Sequence, residues 1–354
     1  MENITVTTMP IKPYKKINIG LMIAPTLVDI IGSIIKCKKV LSFNLLHSFD
    51  NKVPVLSNYI GKIKEFNINY DEIIKDIEYS DDYLKKIEEL YNKGFITLKQ
   101  GNILRCDCGK VEMASECIKN GRNGNLYYWD NDKVICKFCG KECKQYSQKN
   151  LYLEIKEEFC NNISISPSFS KKEINNLAKN FINKNILISK NRQTDYYIYV
   201  EGYKVYVDID MLWTMFNQIE ENENQILIAS NHQLYEMFIS NCINNILGNK
   251  KVHYIATPYL TNKENINFEE KIFSNENSLY KKMAILYNLK WKYQTSNWNN
   301  GIISILNKLS DEDLKELYNI LLSLPVDLSS NMENVINNLL NDINLTANIK
   351  RLKR

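Results

Sequence analysis

Hydrophobic and polar positions alternate in a way that predicts a mixed α/β chain. Residues 18–24 form a short apolar run that reads as a strand. A tight loop is predicted at Pro25-Thr26, and a helix over 27–38, with Asp29 facing a cleft or solvent because a buried carboxylate is costly. VLSFNLLHSFD (40–50) reads as a second strand ending at Asp50. Residues 70–91 carry Tyr83, Ile87 and Leu90 at helical spacing, and Gly94 supplies the stop. Shorter helices are predicted at 154–159 and 171–185. Strand character returns in ILIS (186–189) and YIYVEGYKVYVDID (197–210), followed by a helix over 211–220. QILIAS (225–230), a helix over 232–247 and KVHYIA (251–256) make a strand–helix–strand unit, the sign of a parallel sheet with a right-handed crossover. From Asn277 the pattern is mostly helical.

These elements predict a Rossmann-like parallel-sheet core interrupted by a cysteine-bearing insertion and followed by a short α-helical C-terminal region. The expected spans are 1–95 for the first half of the core, 96–185 for the insertion, 186–276 for the second half, and 277–354 for the helical region. The 354 residues are enough for two or three domains. The 45 basic and 41 acidic residues give a net charge of +4, which permits nucleic-acid contact without requiring it. No 18-residue apolar run is present, and MENITVTTMP lacks a signal-peptide pattern, so a cytoplasmic protein without a membrane span is expected.

Six of the nine cysteines fall between Cys106 and Cys143, which favours a metal over disulfides. LRCDCGK and VICKFCGKEC predict a closed, structural zinc site on Cys106, Cys108, Cys136 and Cys139, with Cys117 or Cys143 as alternative ligands. Cys37, Cys160 and Cys242 sit in apolar contexts that suit a core.

In their order along the chain, IAPTLVDIIGS, DDYLKKIEELYNKGFITLKQGNILRC, CKFCGKECKQYSQKNLYLEI and ILISKNRQTDYYI with KVYVDIDMLW resemble the class I aminoacyl-tRNA synthetases, in the methionyl/leucyl/isoleucyl/valyl branch. The resemblance spans about residues 17 to 260. It implies a ligand site on Ala24, Pro25, Thr26, Gly32, Ser33, Asp50, Arg192, Asp210 and Asn231, with ATP as a possible cosubstrate; His232, which begins a helix after QILIAS, is read as a further ligand contact from its position. The HIGH tetrapeptide then falls on Ile30-Ile31-Gly32-Ser33, so both histidines are missing. Asp50 matches the acidic residue that helps hold the substrate amino group, Arg192 the arginine of the re-entry motif, and Asp210 the carboxylate of the F-D-A stretch. Asp208, beside Asp210, is an alternative cleft residue. The G-K-D stretch falls on Ala229-Ser230-Asn231, without its lysine and aspartate. NKENINFEEKIF replaces the KMSKS loop, leaving Lys263 as its one possible relic, while Lys281-Lys282-Met283 comes too late and reads as helix.

Each lost donor to developing charge costs roughly 3–4 kcal/mol. The expectation is therefore a diverged synthetase-like protein that binds an amino acid, nucleotide or aminoacyl-adenylate-like ligand without standard synthetase activity. No residue is assigned as catalytic. The rivals are an active adenylate-forming ligase transferring to tRNA or a small acceptor, and a pseudo-synthetase acting as a partner subunit or regulator. Potential partners are the small molecule, tRNA and a protein.

Overall fold

The five residues Ile4–Thr8 are all β-branched and form the first strand, β1, with four of the five buried. The computed structural model describes residues 4–13, 17–46, 53–118, 126–160, 162–191, 195–208, 211–212, 214, 224–248, 250–261 and 268–352. After β1 come α1 (Gly20–Ile35), β2 (Lys38–Phe43), α2 (Val53–Glu65), β3 (Glu72–Lys75) and α3 (Ser80–Asn92). The insertion contributes β4 (Ile96–Arg105), β5 (Glu112–Ala114), β6 (Tyr127–Asp130), β7 (Lys133–Cys136) and β8 (Lys144–Ile155). Next are β9 (Ser164–Ser166), α4 (Ser168–Phe181), β10 (Lys184–Leu187), and the hairpin strands β11 (Tyr197–Val200) and β12 (Tyr203–Tyr206). The chain continues through β13 (Asn224–Ser230), α5 (Leu234–Leu247), β14 (Lys251–Thr257), β15 (Tyr259–Thr261), α6 (Phe268–Ser274) and α7 (Ser278–Asn288). It ends with β16 (Thr295–Asn297), α8 (Asn300–Leu306), α9 (Asp311–Leu322) and α10 (Met332–Leu352).

Six strands make one parallel sheet in the order β3-β2-β1-β13-β14-β9. Strand order reverses between β1 and β13, so helices leave the sheet on opposite sides there and a crevice opens beyond the carboxyl ends of those strands. The insertion has its own antiparallel sheet, β10-β8-β4-β5, and the β6–β7 hairpin. This is the predicted Rossmann-like core, cysteine-bearing insertion and helical C-terminal region. β9 lies in the main sheet, although residue 164 falls within the span read as insertion.

Several elements differ from the sequence expectation. Residues 18–24 and the loop at Pro25-Thr26 belong to one helix, α1, which is buried along most of its length. A helix buried all round has no polar face, so its sequence mimics a buried strand. Pro25 withholds the N–H that would bond the Leu21 carbonyl, and the Tyr59 hydroxyl of α2 donates to that carbonyl instead. The second strand ends at Phe43, and the predicted helix over 70–91 contains β3 and a single 3-10 turn before α3 begins. Residues 154–155 end β8, leaving only a short turn at Glu157–Phe159. Residues 197–206 fold back as a hairpin at Glu201-Gly202, both with positive φ. The β13–α5–β14 unit matches the expectation closely. Most of the helix predicted over 211–220 lies outside the described residues.

Asp29 is also placed differently. Its carboxylate is fully buried and pairs with Lys282 Nζ of α7 at 2.5 Å, with Lys39 Nζ at 3.8 Å. Lys282 Nζ also donates to the Asn67 carbonyl at 2.5 Å. Lys281 and Lys282 lie in a buried helix, as their late position predicts. The pair ties α1 of the core to the C-terminal helices through one charge contact inside an apolar cluster containing Ile30, Met283, Leu317 and Ile336.

Replacing one partner of such a pair leaves a buried, uncompensated charge, which costs about 3–5 kcal/mol. Lys282→Met is expected to lower urea-unfolding stability by that amount, and Asp29→Leu combined with Lys282→Met to recover most of it. Unchanged stability in Lys282→Met would show that the pair does not anchor the C-terminal helices.

Candidate functional site

All six strands of the main sheet are parallel, so their carboxyl ends share one edge. Thr8, Ser230, Thr257 and Ser166 end β1, β13, β14 and β9 there. α1 runs back along the sheet, which puts Gly20 and the preceding turn at this edge and Ile35 at the opposite one. Asn18 Oδ1 accepts the Leu21 N–H at 3.2 Å. The Ile19 N–H donates to Glu269 Oε1 of α6 at 3.1 Å. A free helix start attracts anions through its unpaired N–H groups and dipole. Here one of those groups already holds a carboxylate from the chain itself.

Across the crevice, Ser230 and Gln233 form a capping box where β13 gives way to α5. The box turns Asn231 inward, where its Oδ1 accepts from Ser170 Oγ of α4 at 3.2 Å. His232 lies on the outer side and packs against Tyr259, with ring centroids 3.6 Å apart. Among the described residues, Tyr259 Oη is buried without a hydrogen-bond partner, as is Asn44 Oδ1 just past the end of β2. Buried polar atoms are nearly always paired, so these two mark places where a polar group of a ligand could be accommodated. Neither residue stood out in the sequence. The Pro-Tyr that follows β14 was the available signal for Tyr259.

The predicted ligand residues separate into three sets. Asn231 and His232 lie together at the carboxyl edge. Ala24, Pro25 and Thr26 are inside α1, and Gly32 and Ser33 are in its last turns, at the amino edge of the sheet. An added Cβ at Gly32 would come within 2.4 Å of Lys39 Cγ, at the start of β2. Gly32 therefore admits a strand side chain against the helix, and the HIGH register at 30–33 does not face the crevice. Asp50, Arg192, Asp210 and Lys263 lie outside the described residues. The alternative cleft residue Asp208 is paired with Lys190 at 2.7 Å.

The insertion gathers the four expected cysteines. The sulfurs of Cys106, Cys108, Cys136 and Cys139 all lie within 4.8 Å of one another, and Cys108 Sγ is 3.6 Å from Cys136 Sγ. A tetrahedral ion with metal–sulfur bonds of about 2.3 Å holds its sulfurs about 3.8 Å apart, so the group suits one ion. Two matching turns build it. Cys106 N–H donates to the Val111 carbonyl and Cys136 N–H to the Lys141 carbonyl, each at 3.0 Å. Gly109 and Gly140, each directly after a cysteine, take the positive φ that closes the turn. The Val111 and Phe138 N–H groups point at Cys106 Sγ (3.3 Å) and Cys136 Sγ (3.4 Å). Burial opposes ionisation of Cys106, but the Val111 N–H and neighbouring thiols bring it down to about 7. Cys117 and Cys143 are buried and stand outside the group of four; burial pushes the Cys143 thiol up to about 12. Four thiolates around one ion leave no open coordination position.

No protein-family model and no curated protein matches the chain by sequence. Solved structures do match. Mycobacterium tuberculosis methionyl-tRNA synthetase bound by methionyl-adenylate superposes with a TM-score of 0.63 at 10% identity, over 87% of this chain and 69% of that one. A second complex of the same enzyme with methionyl-adenylate gives 0.65 at 9% identity, over 98% and 82%. Its free form gives 0.65 at 10% identity, over 88% and 67%. The chain therefore has the fold of a class I synthetase of the methionyl branch.

Metal analysis of the chain purified under reducing conditions is expected to find one thiophilic divalent ion per chain, and none after Cys136→Ser with Cys139→Ser. A metal-free wild-type chain that folds normally would remove the metal from the account.

Proposed function

We propose that this chain is a diverged synthetase-like protein that holds an amino acid or aminoacyl-adenylate-like ligand in the crevice between β1 and β13, without ATP-dependent amino-acid activation. The contact between Glu269 and the Ile19 N–H carries this reading. Read at the helix start instead of within the helix, the family's HIGH tetrapeptide falls on Asn18-Ile19-Gly20-Leu21 in this proposal, and neither terminal position carries a histidine. The helix start that would face phosphates holds an internal carboxylate, whose negative charge opposes a polyphosphate.

The unpartnered Asn44 Oδ1 and Tyr259 Oη support a retained polar pocket. The methionyl-adenylate in the matching enzyme supports an adenylate-like ligand for this fold. Asp50 and Asp210 supply the negative charge for the ligand's amino group in this reading, and Arg192 a positive one. Zinc, held by Cys106, Cys108, Cys136 and Cys139, has a structural role. The nine cysteines without disulfides suit a reducing cytoplasm. tRNA and a protein subunit are the larger partners in this reading.

Calorimetry with methionine, ATP and a non-hydrolysable methionyl-adenylate analogue tests the reading. Wild-type protein is expected to bind methionine or the analogue, and to bind ATP about tenfold more weakly than Glu269→Ala does. ATP binding of equal strength in both proteins, or no binding of any of the three ligands, would overturn it.

A further inference from the structure

The β11–β12 hairpin has one face in the core and one face in solvent. Ile198 and Val200 turn inward and share a hydrophobic cluster with Tyr83, Ile87 and Leu90 of α3. The strand register places Tyr197 opposite Tyr206 and Tyr199 opposite Lys204, so these four side chains share the outer face. Tyr199 is 67% exposed, the largest value among the exposed large hydrophobic residues. Tyr197 meets Tyr199 and Tyr206 edge to face, at centroid distances of 5.7 and 6.3 Å. Lys204 Nζ lies 3.8 Å from the Tyr197 centroid and 5.3 Å from that of Tyr206.

Of these four outward side chains the one that is charged, Lys204, is positive, and it sits among three aromatic rings. At the turn, Tyr203 is 56% exposed and lies beneath Lys149 Nζ at 4.4 Å. Lys149 also pairs with Glu201 at 2.9 Å, which offsets the acidic residue of the turn. Rings at strand spacing with an ammonium group between them match what unpaired bases and their phosphates require.

We propose that the outer face of this hairpin is a stacking platform for single-stranded nucleic acid. Tyr199 carries the base contact and Lys204 meets a phosphate, with Tyr197 and Tyr206 flanking them on the same face. Duplex is disfavoured because its bases are already stacked on one another. The platform draws on no residue of the crevice, so its failure and that of the ligand reading are separable.

The test is fluorescence anisotropy of the full chain with a labelled 12-nucleotide RNA of mixed A and C, alone or annealed to its complement, at two salt concentrations. The expected result is preference for the single strand and a loss of roughly tenfold or more in Tyr199→Ala, since stacking on one aromatic residue supplies most of a base contact. Lys204→Ala is expected to lower the slope of log affinity against log salt by about 0.7, the value for one phosphate on a single strand. Tyr293→Ala, at a tyrosine 60% exposed elsewhere in the chain, should bind as wild type. Binding of the adenylate analogue should be unchanged in Tyr199→Ala. No RNA binding, equal binding of the duplex, wild-type affinity in Tyr199→Ala, or capture of a protein through Tyr199 without RNA would overturn the proposal.

Discussion

Five residues near the amino terminus pair with a strand about 220 positions later, and the crevice depends on that pairing. Ile4–Thr8 lies parallel to Asn224–Ile228 in continuous register. Closing so long a span costs entropy that grows only slowly with length, so a large insertion can sit between the two halves of the core. Val6, Ile226 and Ile228, fully buried within one cluster, offset that cost. Without this pair there is no strand-order reversal, and the start of α1 would not face the start of α5.

The insertion and the C-terminal helices relate to the core in different ways. The insertion builds its own sheet and a four-thiol centre from turns that are local in sequence, so its organisation is largely self-contained. The C-terminal helices share the cluster of α1 and are joined to it by the Asp29–Lys282 pair. Glu269 adds a second link to the same helix, made at the crevice end. One carboxylate is thus buried against a lysine midway along α1, and the other accepts the Ile19 N–H at its start.

The parts legible in the sequence are those whose determinants are local. β13, α5 and β14 follow from β-branched runs separated by an amphipathic stretch with a capping signal. The cysteine centre follows from two pairs, each followed by glycine. α1 was misread because a proline within an apolar run imitates a strand and loop, and the group that compensates for it, the Tyr59 hydroxyl, is 38 residues away. Asp29 was expected at a cleft or in solvent because its partner is 253 residues distant. The meeting of His232 with Tyr259, and of Ile19 with Glu269, likewise depends on how the sheet brings loops together, which no local pattern encodes.

The central claim is a synthetase fold whose phosphate-facing helix start is closed to ATP by its own chain. ATP–pyrophosphate exchange measured with each of the twenty amino acids tests it most directly. The account predicts no exchange above the protein-free rate for any of them. Exchange stimulated by one amino acid would contradict it and would show that activation chemistry persists without the two histidines.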